Sequence, residues 1–286
     1  MWGIYMDNRY GLLKVQEANL KILKEIDRLC KKYDISYTLD AGTLLGAIRH
    51  NGFIPWDDDA DIAMTRQNWQ LFKRVAQREL SEGFNLVLPD DIRDSKAFYD
   101  FTPRVIYEKS RRHEPEKEDV FYDGKLNKLW VDIFILDVLP KHKAPAFFIK
   151  SLQKTIYLLS MGHRYRLDYK KYTPLYKIAV FIMSSIGRLF KMRFLFTFQE
   201  RLSKLFSSSK KSAFLYYSNY QPDYLYVTLR KEWIKNTFYI KFEDIQLPVA
   251  ENYEEILRIV YGDYMKLPPK NERKPSHKSL EIEVYE

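Results

Sequence analysis

The sequence predicts an α/β (α+β) protein with a small mixed sheet flanked by helices and a basic helical insert. Short apolar runs of strand length alternate with amphipathic helical patterns along most of the 286 residues. Positive charge is concentrated in Lys141–Lys211, where sixteen Lys or Arg face two acidic residues. This segment carries +14, whereas the rest of the chain carries −5. We therefore predict three parts: a core at residues 1–140, the insert at 141–225, and a segment at 226–286 that completes the core.

In the N-terminal half, each element follows from a local pattern. Residues 9–33 repeat apolar side chains at helical spacing, so they predict an amphipathic helix. The run ISYTL at 35–39 alternates apolar and polar residues and predicts a strand, which leads to a short helix opened by Gly42-Thr43. Residues 57–63 predict a second strand, and 67–80 predict another helix. This alternation of helix and strand is typical of an α/β core.

The C-terminal half contains further strands and a long helical region. Three strands are predicted at 84–88, 98–107 and 129–136, with a charged, turn-rich loop at 109–125. Apolar residues at helical spacing predict helices through the basic segment at 144–205. Near the end of the chain, residues 238–248 predict a β-like segment and residues 253–261 predict a final helix. The insert is therefore predicted to be mainly helical.

Four aspartates fall within five positions and predict a divalent-cation site. In an extended segment alternate side chains share a face, so Asp57, Asp59 and Asp61 would point one way. Asp58 and Ala60 would point the other way, and the orientation of the first two aspartates stays open because they adjoin a turn. Carboxylates repel one another unless a cation lies between them. We predict Asp59 and Asp61 as ligands of Mg²⁺ or Mn²⁺, and the alternative is a solvated acidic loop.

Small and basic residues near this cluster suit phosphate binding. Gly42 and Thr43 begin a helix, whose N-terminal N–H groups are donors for anions. Arg49 and His50 end the same helix, and Arg104 lies in the predicted strand at 98–107. The planar guanidinium of arginine can bind a phosphate with two hydrogen bonds. These five residues are predicted to bind the phosphates of a substrate, and an ordinary surface position is the alternative for each arginine.

Three motifs in order resemble those of one protein family. GTLLGAIRHNGFIPWDDDADI (42–62), WVDIFILDVLP (130–140) and YGDYMKLPPKNERKPSH (261–277) are similar to motifs of the LicD family, which includes the fukutin-related proteins. The resemblance spans most of the chain except roughly 141–225. It implies a nucleotidyltransferase-like fold for the catalytic core. It also implies transfer of a substituted phosphate from a CDP-linked donor to a glycan.

The resemblance adds further residues to the predicted site. Asp132 interrupts the apolar run at 129–136, and a lone buried aspartate is costly unless it is paired or bound to metal. The resemblance implies that Asp132 completes a catalytic and metal-binding set with the earlier aspartates, and a satisfied core aspartate is the alternative. Asp137 is interpreted as a turn or capping residue. Arg273 and His277 lie in the closing motif, and the resemblance implies that they reach back to the site.

These observations predict a metal-dependent phosphotransferase. The resemblance implies that the group moved is phosphocholine or an alditol phosphate, and that the acceptor is a hydroxyl of a glycan such as lipopolysaccharide or teichoic acid, or of its lipid-linked precursor. A glycosyltransferase that uses a nucleotide-sugar is one alternative, because it also uses paired aspartates. A nucleotidyltransferase that leaves a nucleoside monophosphate on its acceptor is a second alternative. An inactive, membrane-docked scaffold is a third.

The basic insert has three interpretations. It is either a helical subdomain with its apolar stripes in a core, or a platform on an anionic membrane surface, or a nucleic-acid binder. Nucleic acid is not predicted as a partner because no recognised binding motif is present. The apolar stripes are Leu152, Ile156 and Leu159, followed by Ile178, Ile182, Ile186 and Leu189. The longest apolar run, at 178–187, is too short to span a bilayer.

The expected location is cytoplasmic, with peripheral attachment to the inner face of the membrane under the second interpretation. The first residues lack a basic flank followed by an apolar core, so no signal peptide is predicted. Cys30 is the single cysteine of the chain and cannot form an internal disulfide. Nothing in the cysteine content therefore indicates an oxidising compartment.

Overall fold

The structure is a computed structural model that describes residues 10–207, 209, 212–275 and 282–285. Its helices are α1 (Leu13–Lys32), α2 (Ala41–His50), α3 (Arg66–Glu79), α4 (Lys117–Phe121), α5 (Lys143–Ser160), α6 (Pro174–Gly187), α7 (Met192–Lys204) and α8 (Tyr253–Tyr261). Its strands are β1 (Thr38–Leu39), β2 (Asp61–Thr65), β3 (Phe84–Val87), β4 (Arg104–Tyr107), β5 (Ser110–Arg111), β6 (Leu129–Leu139), β7 (Phe214–Tyr217), β8 (Leu229–Arg230), β9 (Thr237–Phe242), β10 (Ile245–Ala250) and β11 (Glu283–Val284).

The long strand β6 organises the main sheet. On one side β2 runs parallel to β6, with Asp61 directly opposite Asp132, and β1 pairs with the outer edge of β2. On the other side β4 pairs with the first half of β6 and β7 with the second half, both antiparallel. The strands β3 and β8 extend these two branches. Helices flank this mixed sheet, so the predicted α/β (α+β) class is confirmed.

The two largest of three apolar cores among the described residues lie beneath these elements. The larger core joins the buried face of α1, which includes Val15, Ile22 and Ile26, to the sheet and to the β9–β10 hairpin. The smaller core packs α5, α6 and α7 against Phe98 and Tyr216. The strand β7 lies within the predicted insert at 141–225 but belongs to the main sheet. The insert is therefore attached to the core through its last strand, and the three-part division stays a prediction.

Some predicted strands are shorter than expected. The second strand begins at Asp61 rather than at residue 57, and the segment before it approaches the sheet without pairing as a strand. The strand predicted at 98–107 is reduced to β4 because the preceding residues form a turn. In that turn the N–H of Thr102 donates to Oδ1 of Asp100 (2.9 Å), and Pro103 has no N–H to donate. The predicted loop at 109–125 contains the short elements β5 and α4.

The interpretation of Asp137 as a turn or capping residue is wrong. Asp137 lies inside β6, is fully buried, and forms an ion pair with the guanidinium of Arg66 at the start of α3. The hydroxyl of Ser218 also donates to its carboxylate, at 2.5 Å. Glu200 of α7 binds the same guanidinium at 2.9 Å. Arg66 therefore links the sheet to the helical insert.

The two apolar stripes of the insert have different environments. Ile156 of the first stripe is fully buried, and its stripe partners Leu152 and Leu159 pack against the smaller core. The second stripe, on α6 and in the turn after it, is exposed to solvent, with Ile178 at 58% and Leu189 at 82%. The interpretation that both stripes are core is therefore wrong for the second. Among the described residues, no helix is long and apolar enough to cross a bilayer.

The contact between α5 and α6 depends on a glycine. A methyl group at Gly187 would overlap the backbone of Leu159, which has no flexible end that could move away. We expect Gly187→Ala to lower the free energy of unfolding by about 1–3 kcal/mol, because overpacking a close backbone contact forces the helices apart. Urea denaturation would measure this change. Ser185→Ala on the same helix is the matched control, and an equal effect of both substitutions would contradict the close-contact explanation.

Candidate active site

A cavity of about 640 Å³ opens at the N-terminus of α2. Asp57, Asp59 and Asp61 line it together, as the predicted alternation requires. Other parts of the wall come from the loop after β7 and from residues 261–274, which begin at the last residue of α8. The remaining lining residues are Ala41, Gly42, Leu45, Arg49, Ile54, Trp56, Tyr220, Tyr224, Tyr261, Asp263, Tyr264, Lys266, Leu267, Pro268, Pro269, Glu272 and Lys274. Segments distant in sequence therefore share one site.

The start of α2 positions two of these aspartates. Gly42 lines the cavity, and a Cβ atom at this position would collide with the carboxylate of Asp57. The hydroxyl of Thr43 accepts a hydrogen bond from the N–H of Asp61 at 2.9 Å. Thr43 is buried and does not line the cavity, so its placement differs from the predicted phosphate contact. It orients Asp61 through the backbone instead.

Burial and mutual repulsion act on the clustered carboxylates. Burial raises the pKa of Asp57 well above its usual range, and Asp59 raises it further. Burial likewise raises the pKa of Asp61, with further contributions from Asp59 and Asp132. Asp40, directly before α2, is also buried, and burial raises its pKa to about 6, although the hydroxyl of Tyr217 donates to it at 3.0 Å. The site therefore concentrates negative charge that favours a bound cation.

Asp132 lies beside Asp61 on the neighbouring strand and belongs to the same charged group. Its Oδ2 accepts a hydrogen bond from the indole N–H of Trp130 at 3.1 Å. Its Oδ1 lies 2.8 Å from Nε of Arg104, but neither of these two atoms has a well-aligned hydrogen-bond partner among the described residues. Burial raises the pKa of Asp132 to about 6, even though Arg104 acts in the opposite direction. The structure thus brings Asp132 next to the predicted pair, while the cavity wall itself is formed by the earlier aspartates.

Arg104 is held behind the carboxylates and does not line the cavity. Its guanidinium binds Asp100 at 2.5 Å and lies 5.0 Å from the ring centre of Trp130. Burial opposes the charge of Arg104, but Asp100 and Asp132 outweigh this effect and raise its pKa. This placement differs from the predicted contact with a diphosphate. Arg104 instead orients Asp132 and balances its charge.

Asp58 occupies the side of the segment opposite to the cavity. It is 1% exposed. Burial lowers the pKa of Arg112, and the negative charge of Asp58 opposes this shift. The guanidinium of Arg112 stacks 4.1 Å from the ring centre of Trp130. The sequence analysis did not identify Arg112, because nothing in the local pattern separates it from a surface arginine. The sequence left the orientation of Asp58 open, and the structure places it behind the cavity, near Arg112.

Cations gather at the rim of the cavity. Arg49 lines the cavity and donates to the carbonyl oxygen of Tyr264 at 3.0 Å. Burial lowers the pKa of Arg49, and the nearby Arg273 lowers it further, so the two cations lie close together. Arg273 lies 5.4 Å from the ring centre of Trp56. The closing segment therefore returns to the site, although Arg273 itself is not among the residues that line the cavity, and its contact with substrate stays a prediction.

His50 and His277 have different outcomes. His50 accepts a hydrogen bond from Nε of Arg49 at 3.0 Å and contacts the edge of Trp56, but it does not line the cavity. Burial lowers the pKa of His50, and Arg49 lowers it further, so its neutral form is favoured. It orients Arg49 from behind. His277 lies outside the described residues.

Three tyrosines form a wall that the sequence analysis missed. Tyr220, Tyr224 and Tyr261 line the cavity, and the first two rings meet edge to face with centres 4.2 Å apart. Burial, followed by neighbouring groups that include Asp61, raises the pKa of all three phenols. The side chain of Asn219 holds the loop that carries Tyr220 and Tyr224 against β6. Its amide oxygen accepts a hydrogen bond from the N–H of Ile135, and its amide nitrogen donates to the carbonyl oxygen of Ile133. With 22 Tyr in the chain, no local signal marks these three.

Family comparison agrees with this geometry. Residues 34–179 match the model of the LicD/FKTN/FKRP nucleotidyltransferase domain, and this region contains the acidic cluster and β6. The chain therefore belongs to the LicD family, and the resemblance stated from its motifs is confirmed. The prediction of a phosphotransferase enzyme is confirmed by the same membership.

Individual relatives extend the comparison beyond that domain. The chain is 32% identical to the lipopolysaccharide cholinephosphotransferase LicD of Haemophilus influenzae, over 93% of this chain and 96% of that protein. It is 33% identical to an uncharacterized protein of Rickettsia typhi over 27% of this chain and 26% of that protein. An uncharacterized protein of Rickettsia prowazekii is 44% identical over 17% of this chain and 18% of the relative. The first relative matches nearly the whole length, which includes the insert and the closing segment.

Proposed function

We propose that this enzyme transfers phosphocholine from CDP-choline to a hydroxyl group of lipopolysaccharide or a related cell-surface glycan. The observation that carries the proposal is one cavity with the three clustered aspartates Asp57, Asp59 and Asp61, a cationic rim and a tyrosine wall. These surfaces suit, respectively, a metal ion, a diphosphate and a quaternary ammonium group. The name of the Haemophilus influenzae relative gives choline phosphate as its transferred group and lipopolysaccharide as its acceptor, which supports the same assignment here.

In the proposed reaction, the acceptor oxygen bonds to the phosphorus atom of the phosphocholine group. The bond from this phosphorus to the bridging oxygen of the diphosphate breaks, and its electron pair leaves with cytidine monophosphate. The acceptor proton passes to a carboxylate, for which Asp57 is our candidate because it lines the cavity outside the proposed metal set. Arg49 and Arg273 would bind the phosphate oxygens of the leaving nucleotide.

Asp59, Asp61 and Asp132 are the residues that we propose hold Mg²⁺ or Mn²⁺. Their oxygen donors fit these hard cations, and the pairing of β2 with β6 places Asp61 directly opposite Asp132. In the described part of the chain, no three acidic, His or Cys side chains are close enough to hold a metal by themselves. Mg²⁺ usually takes only one or two carboxylates and completes its shell with water and phosphate oxygens. When bound, the ion would neutralise charge on the transferred phosphate.

The tyrosine wall is the proposed site for the choline headgroup. A trimethylammonium group cannot donate hydrogen bonds, so aromatic faces and nearby negative charge are its main attractions. Tyr220, Tyr224 and Tyr261 offer such faces, and Asp263 lines the same cavity. The wall therefore favours phosphocholine between the two groups predicted from the sequence.

Substitution of Tyr224 tests this headgroup site. We expect Tyr224→Ala to raise the KM for CDP-choline about three- to thirtyfold, because one cation–π contact is worth about 0.5–2 kcal/mol. Tyr224→Phe keeps the aromatic face and is the matched control, with little change in KM. Competitive inhibition by cytidine monophosphate, which has no headgroup, separates headgroup recognition from general damage. An equal rise in the KM for CDP-choline and in the inhibition constant of cytidine monophosphate would contradict the headgroup assignment.

The product distinguishes the proposed function from its rivals. Purified enzyme, a lipopolysaccharide preparation and Mg²⁺ would be incubated with CDP-choline, CDP-glycerol or UDP-glucose in parallel, and the products analysed by mass spectrometry. We expect a phosphocholine adduct and free cytidine monophosphate with CDP-choline alone. A cytidylyl adduct would favour the nucleotidyltransferase alternative, and a hexose adduct from UDP-glucose would favour the glycosyltransferase. Calorimetric titration of each nucleotide with and without Mg²⁺ would show donor binding even if the acceptor preparation were unsuitable.

A further inference from the structure

The helix α6 exposes an apolar stripe that packs against no other described part of the chain. Ile178, Ile182 and Ile186 recur at helical spacing and are 58%, 49% and 42% exposed, and Leu189 follows in the next turn at 82%. The opposite face of the same helix is buried through Val180, Ser184 and Gly187. The helix is therefore docked on the protein through one face, and the apolar stripe lies on its other, exposed face.

A second row of exposed apolar side chains follows Leu189 in the chain. Phe190 lies just before α7, and Phe194 and Phe198 lie one and two turns further along, all three exposed. Their rings are stacked, with successive centres 6.0 Å apart and planes inclined by 20° and 13°. Leu195 and Phe196, on the other face of α7, are buried in the smaller core. Apolar patches of this extent on a protein surface usually mark a binding site.

Basic side chains accompany these apolar residues. Lys177, Arg188 and Lys191 are exposed on α6 and in the turn that follows it. The side chain of Arg193, the second residue of α7, is 68% exposed and forms an exposed ion pair with Asp94 at 3.0 Å. The surrounding segment carries a net charge of +14, the reverse of the −5 on the rest of the chain. An apolar face flanked by Lys and Arg is the pattern of a helix that lies in the plane of a membrane interface.

We propose that the exposed face of α6 and α7, formed by these apolar and basic residues, binds the surface of an anionic lipid bilayer. The apolar side chains enter the boundary between headgroups and acyl chains, and the basic side chains contact anionic headgroups. Charge decides between this occupant and a second copy of the chain. In a twofold dimer through this face, each basic segment would meet the same basic segment, which repels it.

Vesicle co-sedimentation of the full chain tests the proposal. We expect binding to vesicles of phosphatidylcholine mixed with phosphatidylglycerol, weaker binding to phosphatidylcholine alone, and loss of binding as salt is raised. The apolar variant is Ile182→Ser combined with Leu189→Ser, and it should lower the partition coefficient about tenfold or more because two apolar side chains no longer enter the bilayer. The charge variant Lys177→Glu combined with Lys191→Glu should reduce binding to the anionic vesicles and leave binding to phosphatidylcholine nearly unchanged.

Val120→Ser is the matched control, because Val120 is 75% exposed but lies on α4, outside the insert. It should bind vesicles like the unmodified chain. Equal binding of the apolar variant and the control, or no binding of the unmodified chain to anionic vesicles, would overturn the proposal. Light scattering on the same samples provides a further check. A dimer that the apolar variant converts to a monomer would assign this face to self-association instead.

Discussion

Asp61→Asn is expected to lower kcat about a thousandfold or more at saturating Mg²⁺, because an amide is a poor ligand for a cation and cannot neutralise it. The substitution keeps the shape of the side chain. It also keeps the hydrogen bond from the N–H of residue 61 to Thr43, since that bond uses the backbone. The rate of cytidine monophosphate release from CDP-choline would measure the loss.

The same variant should not be less stable than the unmodified enzyme. Burial and the neighbouring carboxylates raise the pKa of Asp61, so its charge destabilises the metal-free fold. Asp61→Asn removes that charge, and we expect the free energy of unfolding without metal to rise by about 1–2 kcal/mol. Asp244→Asn, at an exposed ion pair with Lys24, is the control and should change neither kcat nor the free energy of unfolding. Activity of Asp61→Asn within about threefold of the unmodified enzyme would contradict the metal-ligand assignment.

Asp137→Ala is expected to destabilise the fold by about 3–5 kcal/mol, because it leaves the buried guanidinium of Arg66 without its closest charged partner. Burial raises the pKa of Asp137, and the hydrogen bond and charge of Arg66 oppose this shift. Urea denaturation would measure the free energy of unfolding. The loss should be accompanied by weaker attachment of α7 to the sheet, detectable as faster hydrogen exchange in that helix.

A matched control is available on the same arginine. Glu200 also binds Arg66, but its side chain is 42% exposed, so Glu200→Ala should cost less than about 1 kcal/mol. Replacing both members of the buried pair, as Arg66→Met with Asp137→Leu, should restore most of the stability lost in Asp137→Ala. An equal loss of unfolding free energy in Asp137→Ala and Glu200→Ala would show that burial of the Arg66–Asp137 pair does not increase the effect of losing the carboxylate.

The acidic cluster shows how far local patterns carry a prediction. The alternation of aspartates predicted one shared face, and Asp57, Asp59 and Asp61 do line one cavity, although only Asp61 belongs to a strand. An extended backbone alternates its side chains whether or not it is paired in a sheet. The pattern therefore identified the face correctly even though the strand boundary was wrong.

Arg104 shows what local sequence patterns do not predict. A guanidinium next to a predicted acidic site suits a diphosphate, and the sequence contains no sign that Asp100 and Asp132 bind it first. The antiparallel register of β4 on β6 places Arg104 opposite Asp132, and this register is a property of the assembled sheet. The same limit applies to Asp137, whose partner Arg66 is 71 residues distant in the chain.

The sequence by itself determined the α/β class, the family, the acidic cluster and the concentration of positive charge in the insert. These properties depend on residue type and on short-range spacing, which the chain carries before it folds. Only the tertiary structure decided which residues surround the cavity, including the tyrosine wall, and which apolar stripe of the insert remains exposed. Both outcomes depend on contacts between segments far apart in the chain, since burial is a property of the assembled packing rather than of any local pattern.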